Sequence, residues 1–236
     1  MLDHHTIAVA DAYWASHFGC VADELFSGSF HLITHGGELI DYCGVFAIFR
    51  GGKVTVSIPP DQAESLRGIL SDLTNDCSPD SLASALEPVA TRVIGPAYIG
   101  YASAVSGPSH PVRSLSSNDV TALMALEQSC DTTEWEHGGS PVENPCSGVF
   151  SGEKLVAVAG YEIWGGSIAH ISIITHPDFR NQGFGRSAVA HLAVKVIQAG
   201  LLPQYRTLES NRSSIRIAES LGFQHYATSM AVRITR

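Results

Sequence analysis

The sequence predicts an α/β (α+β) chain in two parts. A smaller N-terminal α/β domain over residues 1–110 precedes a C-terminal domain over 111–236, which holds a mixed, mostly antiparallel sheet with flanking helices. Three observations predict this. A stretch rich in Ser, Pro and Gly, SAVSGPSHPVRSLSSN (Ser103–Asn118), separates two patterned regions. Three consecutive β-rich arms with glycine turns, SGVFSGEKLVAVAGYEIWGGSIAHISIIT, fill much of the second region. A glycine-bearing turn, FRNQGFG, then leads from the last arm into a run of helical period.

Taken in order, TIAVADAYWASHF is an amphipathic helix, and VFAIFRGGKVTVSI is a hairpin because Gly51-Gly52 supplies the positive φ angles of a two-residue turn. Helices follow at about 61–73 and 79–89, then a short apolar strand, AYIGYA. PVRSL is a candidate first strand of the second domain. DVTALMALEQ is a helix with Val120, Leu123, Met124 and Leu126 near one face, capped by Ser117 or Asn118. After the three arms and the glycine turn, Val189, Leu192, Ala193, Val196 and Ile197 recur at helical spacing until Gly200. PQYRTLES is a strand, NRSSIRIAESLG a short helix capped by Asn211, and HYATSMAVRI a last strand. The C-terminal order is β-α-β-β-β-α-β-α-β.

Composition narrows the function classes. The chain has 236 residues, 44% hydrophobic and 16% charged, as expected of a globular protein with a sizeable core. No apolar run approaches the roughly 18–20 residues that span a bilayer, and MLDHHTIAVADAYW lacks the basic head of a signal peptide, so a cytoplasmic protein without a membrane partner is expected. Five cysteines, with no CxxC pair, read as buried apolar residues. The net charge of −9 argues against a nucleic-acid partner. That charge is uneven: residues 1–170 hold 6 Lys/Arg against 20 Asp/Glu, and residues 171–236 hold 8 against 3. The basic portion contains the glycine turn, which suits a small polyanion. His31 and His35 have HxxxH spacing, but HLITHGG reads as a strand running into a turn, where i and i+4 make no helical ligand pair; no metal is expected.

Backbone N–H groups at a helix start lack intrahelical partners and carry the positive end of the helix dipole, so glycines there suit phosphate or pyrophosphate. Two readings compete for this one. Gly183-Phe184-Gly185-Arg186-Ser187-Ala188 matches GxGxxA of dinucleotide-binding units, with Glu209 near the place of a ribose-binding acid. Against it, HPDFRNQ intervenes between Thr175 and Gly183, and too little chain follows for the further parallel strands of a dinucleotide crevice. For the other, Arg180, Gly183 and Gly185 match Arg/Gln-x-x-Gly-x-Gly/Ala after the strand HISIIT and the turn at His176-Pro177, and Asn211 is followed by SLGF (Ser220–Phe223). On these residues and the element order, the region from about Pro111 to Arg236 resembles the GNAT superfamily of acetyl-CoA-dependent N-acyltransferases. The N-terminal part is unassigned, a degenerate second copy of that fold being conceivable.

The resemblance implies an N-acetyltransferase with acetyl-CoA as co-substrate and a primary amine, small molecule or peptide, as acceptor. It implies that the pantetheine arm lies like an added strand along Ile173, Ile174 and Thr175. It further implies that the turn Arg180, Asn181, Gln182, Gly183, Phe184, Gly185 and Arg186 wraps the pyrophosphate, with Asn211 as a further cofactor contact.

Direct attack by an amine needs a proton acceptor and, for the leaving thiolate, a donor. His170 is the titratable group on the central strand, facing the same way as Ile168, Ser172 and Ile174. TTEWEHGGS, a loop where the family places its acceptor-binding segment, offers Glu134, Glu136 and His137, and Glu162 lies on the adjacent strand. Glu136 is the leading base, with His170 orienting water or packing. The family often has a tyrosine four residues before the glycine of its Gly-Phe pair; Ala218 stands there, and Tyr226 is the substitute donor. The acidic first part of the chain favours an acceptor that arrives as a cation. The oligomeric state is open, a homodimer among the alternatives. The reading from a different class is a non-catalytic acyl-CoA-binding or sensor module, and a nicotinamide-dependent oxidoreductase comes third.

Overall fold

A computed structural model describes residues 2–74, 77–139 and 145–235. In chain order it comprises α1 (His4–Phe18), β1 (Phe30–Thr34), β2 (Gly44–Arg50), β3 (Lys53–Ile58), α2 (Ala63–Leu70), α3 (Pro79–Leu86) and β4 (Ala90–Tyr101). There follow β5 (Arg113–Ser114), α4 (Val120–Ser129), α5 (Thr132–Gly138), β6 (Cys146–Ser151), β7 (Lys154–Trp164) and β8 (Ile168–Thr175). The chain closes with α6 (Phe184–Gln198), β9 (Leu202–Leu208), α7 (Arg212–Leu221) and β10 (Gln224–Ile234). This is the mixed, mostly antiparallel α/β architecture with flanking helices that the sequence predicts. No helix among the described residues is long and apolar enough to cross a membrane.

Two compact units divide the chain. The N-terminal unit is His4–Ile99 with Thr207–Asn211 and His225–Arg236; the C-terminal unit is Met1–Asp3, Gly100–Arg206 and Arg212–Gln224. The division falls near residue 100, where the sequence pattern sets it at 110, and the last strand returns to the N-terminal unit. The reason is pairing: β10 runs antiparallel to β2, from Thr228↔Phe49 to Arg233↔Gly44. A strand that completes a distant sheet leaves no trace in its own periodicity.

In the N-terminal unit the strands lie in the order β1-β3-β2-β10-β4. The predicted hairpin joins β2 to β3, with Gly51 and Gly52 at φ +58° and +75°, and β1 runs parallel to β3. Leu66 and Leu70 of α2 and Leu82 and Leu86 of α3 bury against Val45, Val56 and Ile58 and against Val232 of β10. His35 bonds Ser57 Oγ at 2.7 Å and donates to the Gly44 carbonyl at 2.8 Å, so both its nitrogens are engaged.

In the C-terminal unit the order is β5-β6-β7-β8-β9. β5 to β8 pair antiparallel in sequence, with glycine turns at Gly152 and at Gly165-Gly166, as expected; β8 and β9 are parallel. α4 presents Leu123 and Leu126 to the sheet beside Ile174, whereas Val120 and Met124 are exposed. The entry to α4 is also not capped at Ser117 or Asn118. Ser116 and Asp119 exchange hydrogen bonds around a preceding 3-10 turn, and Arg113 clamps the Asp119 carboxylate with bonds of 2.9 and 2.6 Å. TTEWEHGGS is not a loop: Thr132–Gly138 is helical, started by Asp131, which accepts from the N–H groups of Thr133 and Glu134. The final residue of that stretch, Ser140, lies outside the described residues.

Candidate functional site

β8 and β9 stay together only at their beginnings. Their parallel ladder runs from Ile168↔Leu202 to Ile171↔Tyr205 and stops, while β8 continues to Thr175 and β9 to Leu208. On its other side β8 is paired with β7 throughout, to Ala157↔Thr175. Beyond Ile171, then, one edge of β8 is open to strand pairing, with Gly138 at the end of α5 close to the Ile173 carbonyl, where a Cβ would stand 2.5 Å away. The His176 N–H donates to Val156 O, which sets the phase of the β7–β8 ladder. Because alternate residues of an antiparallel strand bond to the same neighbour, Ile174 turns its main chain to β7, and Ile173 and Thr175 turn theirs to the open edge. Two of the three strand residues expected to hold a ligand are therefore on that edge. Ile174 is not: its main chain faces β7 and its side chain is buried against α4.

The chain leaves β8 through a 3-10 turn, Pro177–Phe179, whose first N–H groups include that of Asp178, bonded to His176 Nδ1. Asn181 (φ +62°) and Gly183 (φ +83°) then adopt left-handed conformations, and Gly183 is the N-cap of α6. The N–H groups of Phe184, Gly185 and Arg186 point out of the first helical turn without intrahelical acceptors. Gly185 has a different task. A Cβ there would stand 2.6 Å from Thr175 Oγ1 and 2.9 Å from Ile173 Cδ1, so its bareness is what lets the helix start rest on the open end of β8.

Both arginines of the turn are engaged. Arg180 donates to Glu134 Oε2 at 2.6 Å and, through Nε, to the Thr175 carbonyl at 3.3 Å. Arg186 bonds Ser220 Oγ, Ser220 O and Gly107 O, neutral acceptors that leave its charge uncancelled. The linker is fastened here too: the N–H groups of Ser109 and His110 donate to Ser187 Oγ, and His110 Nε2 donates to Gln182 O at 2.9 Å.

On the face of the sheet that carries Ile174, a second cluster forms. His170 lies opposite Glu162 of β7 and Gln204 of β9 in the strand registers. Trp164 stacks on the imidazole at 3.9 Å between ring centres, the two planes nearly parallel at 12°. Burial, and then the positive charge of Arg206, push the His170 pKa down to about 4, against the opposing hydrogen bond to Gln204. This histidine is neutral at physiological pH.

The remaining predicted residues are Glu136, Tyr226 and Asn211. Glu136 is exposed on α5; since a helix turns about 100° per residue, it points roughly away from Glu134, the acid that reaches Arg180 and the open edge. Tyr226 belongs to the N-terminal unit, where its hydroxyl donates to Asp11 Oδ1 at 2.5 Å and the Arg50 guanidinium lies over its ring. Asn211 precedes α7 and is exposed, its N–H donating to Leu208 O. The sequence pattern does not reveal Gln204 and Trp164 as members of the His170 cluster. The alternation of PQYRTL marks Gln204 as sharing a face with Arg206, but nothing in it shows that β9 pairs with β8 at His170.

A family profile for GNAT acetyltransferases matches residues 147–229, which include β8, the glycine turn, β9 and α7. Among solved structures, a GNAT-family acetyltransferase candidate from Novosphingobium aromaticivorans is 25% identical, with 62% of this chain and 67% of that one covered and a TM-score of 0.50. The chain carries a GNAT-superfamily domain. A GNAT-family acetyltransferase from Colwellia psychrerythraea shares the fold over 100% of this chain and 98% of its own, at 10% identity and a TM-score of 0.54. At that identity the likeness is one of fold alone. No curated protein matches the sequence. The parting of β8 from β9 and the glycine N-cap of α6 lie inside the matched segment.

Proposed function

We propose that the chain is an N-acetyltransferase that moves the acetyl group of acetyl-CoA to a primary amine arriving as a cation. The observation that carries this reading is the β8–β9 ladder ending at Ile171↔Tyr205, directly before a glycine-capped helix start. The main-chain N–H groups of Ile173 and Thr175 then receive the pantetheine carbonyls as an added strand would, the Thr175 carbonyl being held by Arg180. The N–H groups of the α6 start, with Arg180 and Arg186, take the pyrophosphate.

A main-chain N–H of the open edge polarises the thioester carbonyl, in the manner of an oxyanion hole. The amine lone pair attacks the carbonyl carbon, the C–S bond breaks, and the thiolate takes up a proton from solvent while the amine loses one. For the proton acceptor the geometry favours a reassignment. Glu162, opposite His170, is the carboxylate of this cluster, and Glu136 turns away from the open edge. We assign Glu162 to hold the ammonium and accept its proton through water, and His170 to orient.

Calorimetric titration with CoA, followed by thiol release from acetyl-CoA across a panel of amines, tests the function. Turnover of a cationic amine is expected; absence of CoA binding overturns the reading. One observation favours a second reading, a non-catalytic acyl-CoA sensor: Ala218 stands where the family's tyrosine donor is common, and the Tyr226 hydroxyl is bound to Asp11. CoA binding without turnover of any amine would select it.

A further inference from the structure

The placement of the Gln204 amide sets the directions of the hydrogen bonds behind His170. Gln204 is fully buried, and its Nε2 donates to the Tyr101 hydroxyl oxygen at 2.6 Å. That leaves Gln204 Oε1, which can only accept, at 3.1 Å from His170 Nδ1. The proton of a neutral His170 is accordingly on Nδ1, and Nε2 carries a bare lone pair. Trp164, stacked at 3.9 Å, fixes the plane of the ring, so that only rotation about one axis is left for Gln204 to stop. Among the described residues Nε2 has no hydrogen-bond partner, and it is not among the buried polar atoms left without one. It is thus open to an incoming group. Among the described residues, the charged and titratable groups placed beside His170 by the strand registers and contacts include Glu162 of β7, Arg206 of β9 and Tyr101 at the end of β4.

Resting on the acetyl-transfer reading, we propose that Gln204, braced by Tyr101, is a positioning residue that holds His170 in its Nδ1–H form so that Nε2 accepts a hydrogen bond from the acceptor amine. A neutral acceptor at this point aligns the amine by one N–H and leaves its lone pair directed at the thioester. A charged imidazolium would do the reverse, repelling an ammonium and offering it no lone pair. The buried amide serves this end better than a carboxylate, which would draw a second proton onto the ring.

Histidine-selective nitrogen NMR on the full chain, with the signal assigned by His170→Gln, tests this. The expected spectrum shows the Nδ1–H form at neutral pH and a titration midpoint well below that of free histidine. Gln204→Glu keeps the shape of the side chain and adds a charge beside Nδ1; it should raise the midpoint by about one unit or more and carry the acidic limb of kcat/KM upward with it. Gln204→Leu should release the tautomer and lower kcat about tenfold, the equivalent of one hydrogen bond, with CoA affinity unchanged. An Nε2–H spectrum in the unmodified chain, or a Gln204→Leu protein with the same tautomer and kcat, overturns the proposal. The tautomer is read without cofactor or amine, so a failure of CoA to bind strikes the proposed function alone, and the spectrum decides the tautomer by itself.

Discussion

Two carboxylates, Glu162 and Glu136, differ in what surrounds them, and that difference has kinetic consequences. Glu162 shares a register position with His170, whereas Glu136 stands exposed on α5, turned away from the neighbour that meets Arg180. Glu162→Gln should keep CoA affinity and lower kcat/KM for a cationic amine by about 10²- to 10⁴-fold, the range for a positioned acid–base group. Glu136→Gln should stay close to the unmodified enzyme. Steady-state rates for the two variants decide the matter, and the reverse pattern restores Glu136. His170 was legible in the sequence because a lone titratable residue interrupts an apolar strand; its partner Gln204 was not, since it lies 34 residues away and meets His170 only through the register of a parallel ladder.

The elements around the open edge answer to close approach as much as to charge. Gly183 and Gly185 read alike in the sequence, as bare residues beside a phosphate, and the structure separates them. At Gly183 the obstacle is φ of +83°, which costs a residue with a Cβ roughly 1–2 kcal/mol. At Gly185 the obstacle is Thr175 Oγ1 and the Ile173 side chain. Gly185→Ala should therefore destabilise the fold by about 1–3 kcal/mol through overpacking, and Thr175→Ala in the same chain should recover part of that loss. Chemical denaturation of the single and double variants measures the coupling, and strictly additive losses would contradict the contact. The stretch TTEWEHGGS reads as a loop in the sequence because its helix is short and polar, carried by the Asp131 cap and by the Glu134–Arg180 pair and not by a stripe of apolar residues. On the proposed function, that pair also competes with the pyrophosphate for Arg180. Glu134→Gln frees Arg180 for the pyrophosphate, and since an exposed ion pair is worth about 0.2–1 kcal/mol, CoA should bind up to about fivefold tighter. Arg180→Ala should weaken binding by about 1–3 kcal/mol. Titrations at fixed ionic strength test both, and weaker binding by Glu134→Gln would make Glu134 a support of the site instead.

At the scale of the whole molecule, the element order of the C-terminal part could be read in advance because hairpins, glycine turns and helical periods are local signals. The return of β10 to β2 could not, being a pairing between residues nearly the whole chain apart. What both units have in common is buried neutral histidine. In the N-terminal unit, burial pushes the His35 pKa down while its nitrogens bond Ser57 and Gly44. In the C-terminal unit, burial first and then nearby positive charge lower His170, His176 and His191, the charges being Arg206, Lys154 and Lys195 in turn. A histidine whose folded pKa lies below its unfolded value of about 6.5 contributes its full share of stability above that pH. As pH falls, the unfolded chain takes up the proton first, and the stability drains away until the folded pKa is passed. With His170 at about 4, the loss at pH 5 from this residue alone is roughly 2 kcal/mol, and the other three add to it in the same direction. Asp119 does not interfere in this window, because the Arg113 guanidinium and the Ser116 N–H hold its carboxylate well below the usual range and its contribution is lost only in stronger acid. Thermal unfolding followed from pH 8 to pH 5 should show a level midpoint down to about pH 7 and then a fall, of which about 4–8 °C at pH 5 belongs to His170. His170→Gln should flatten the curve by that amount, and a midpoint unchanged between pH 7 and pH 5 would show that these histidines are not held neutral by the fold.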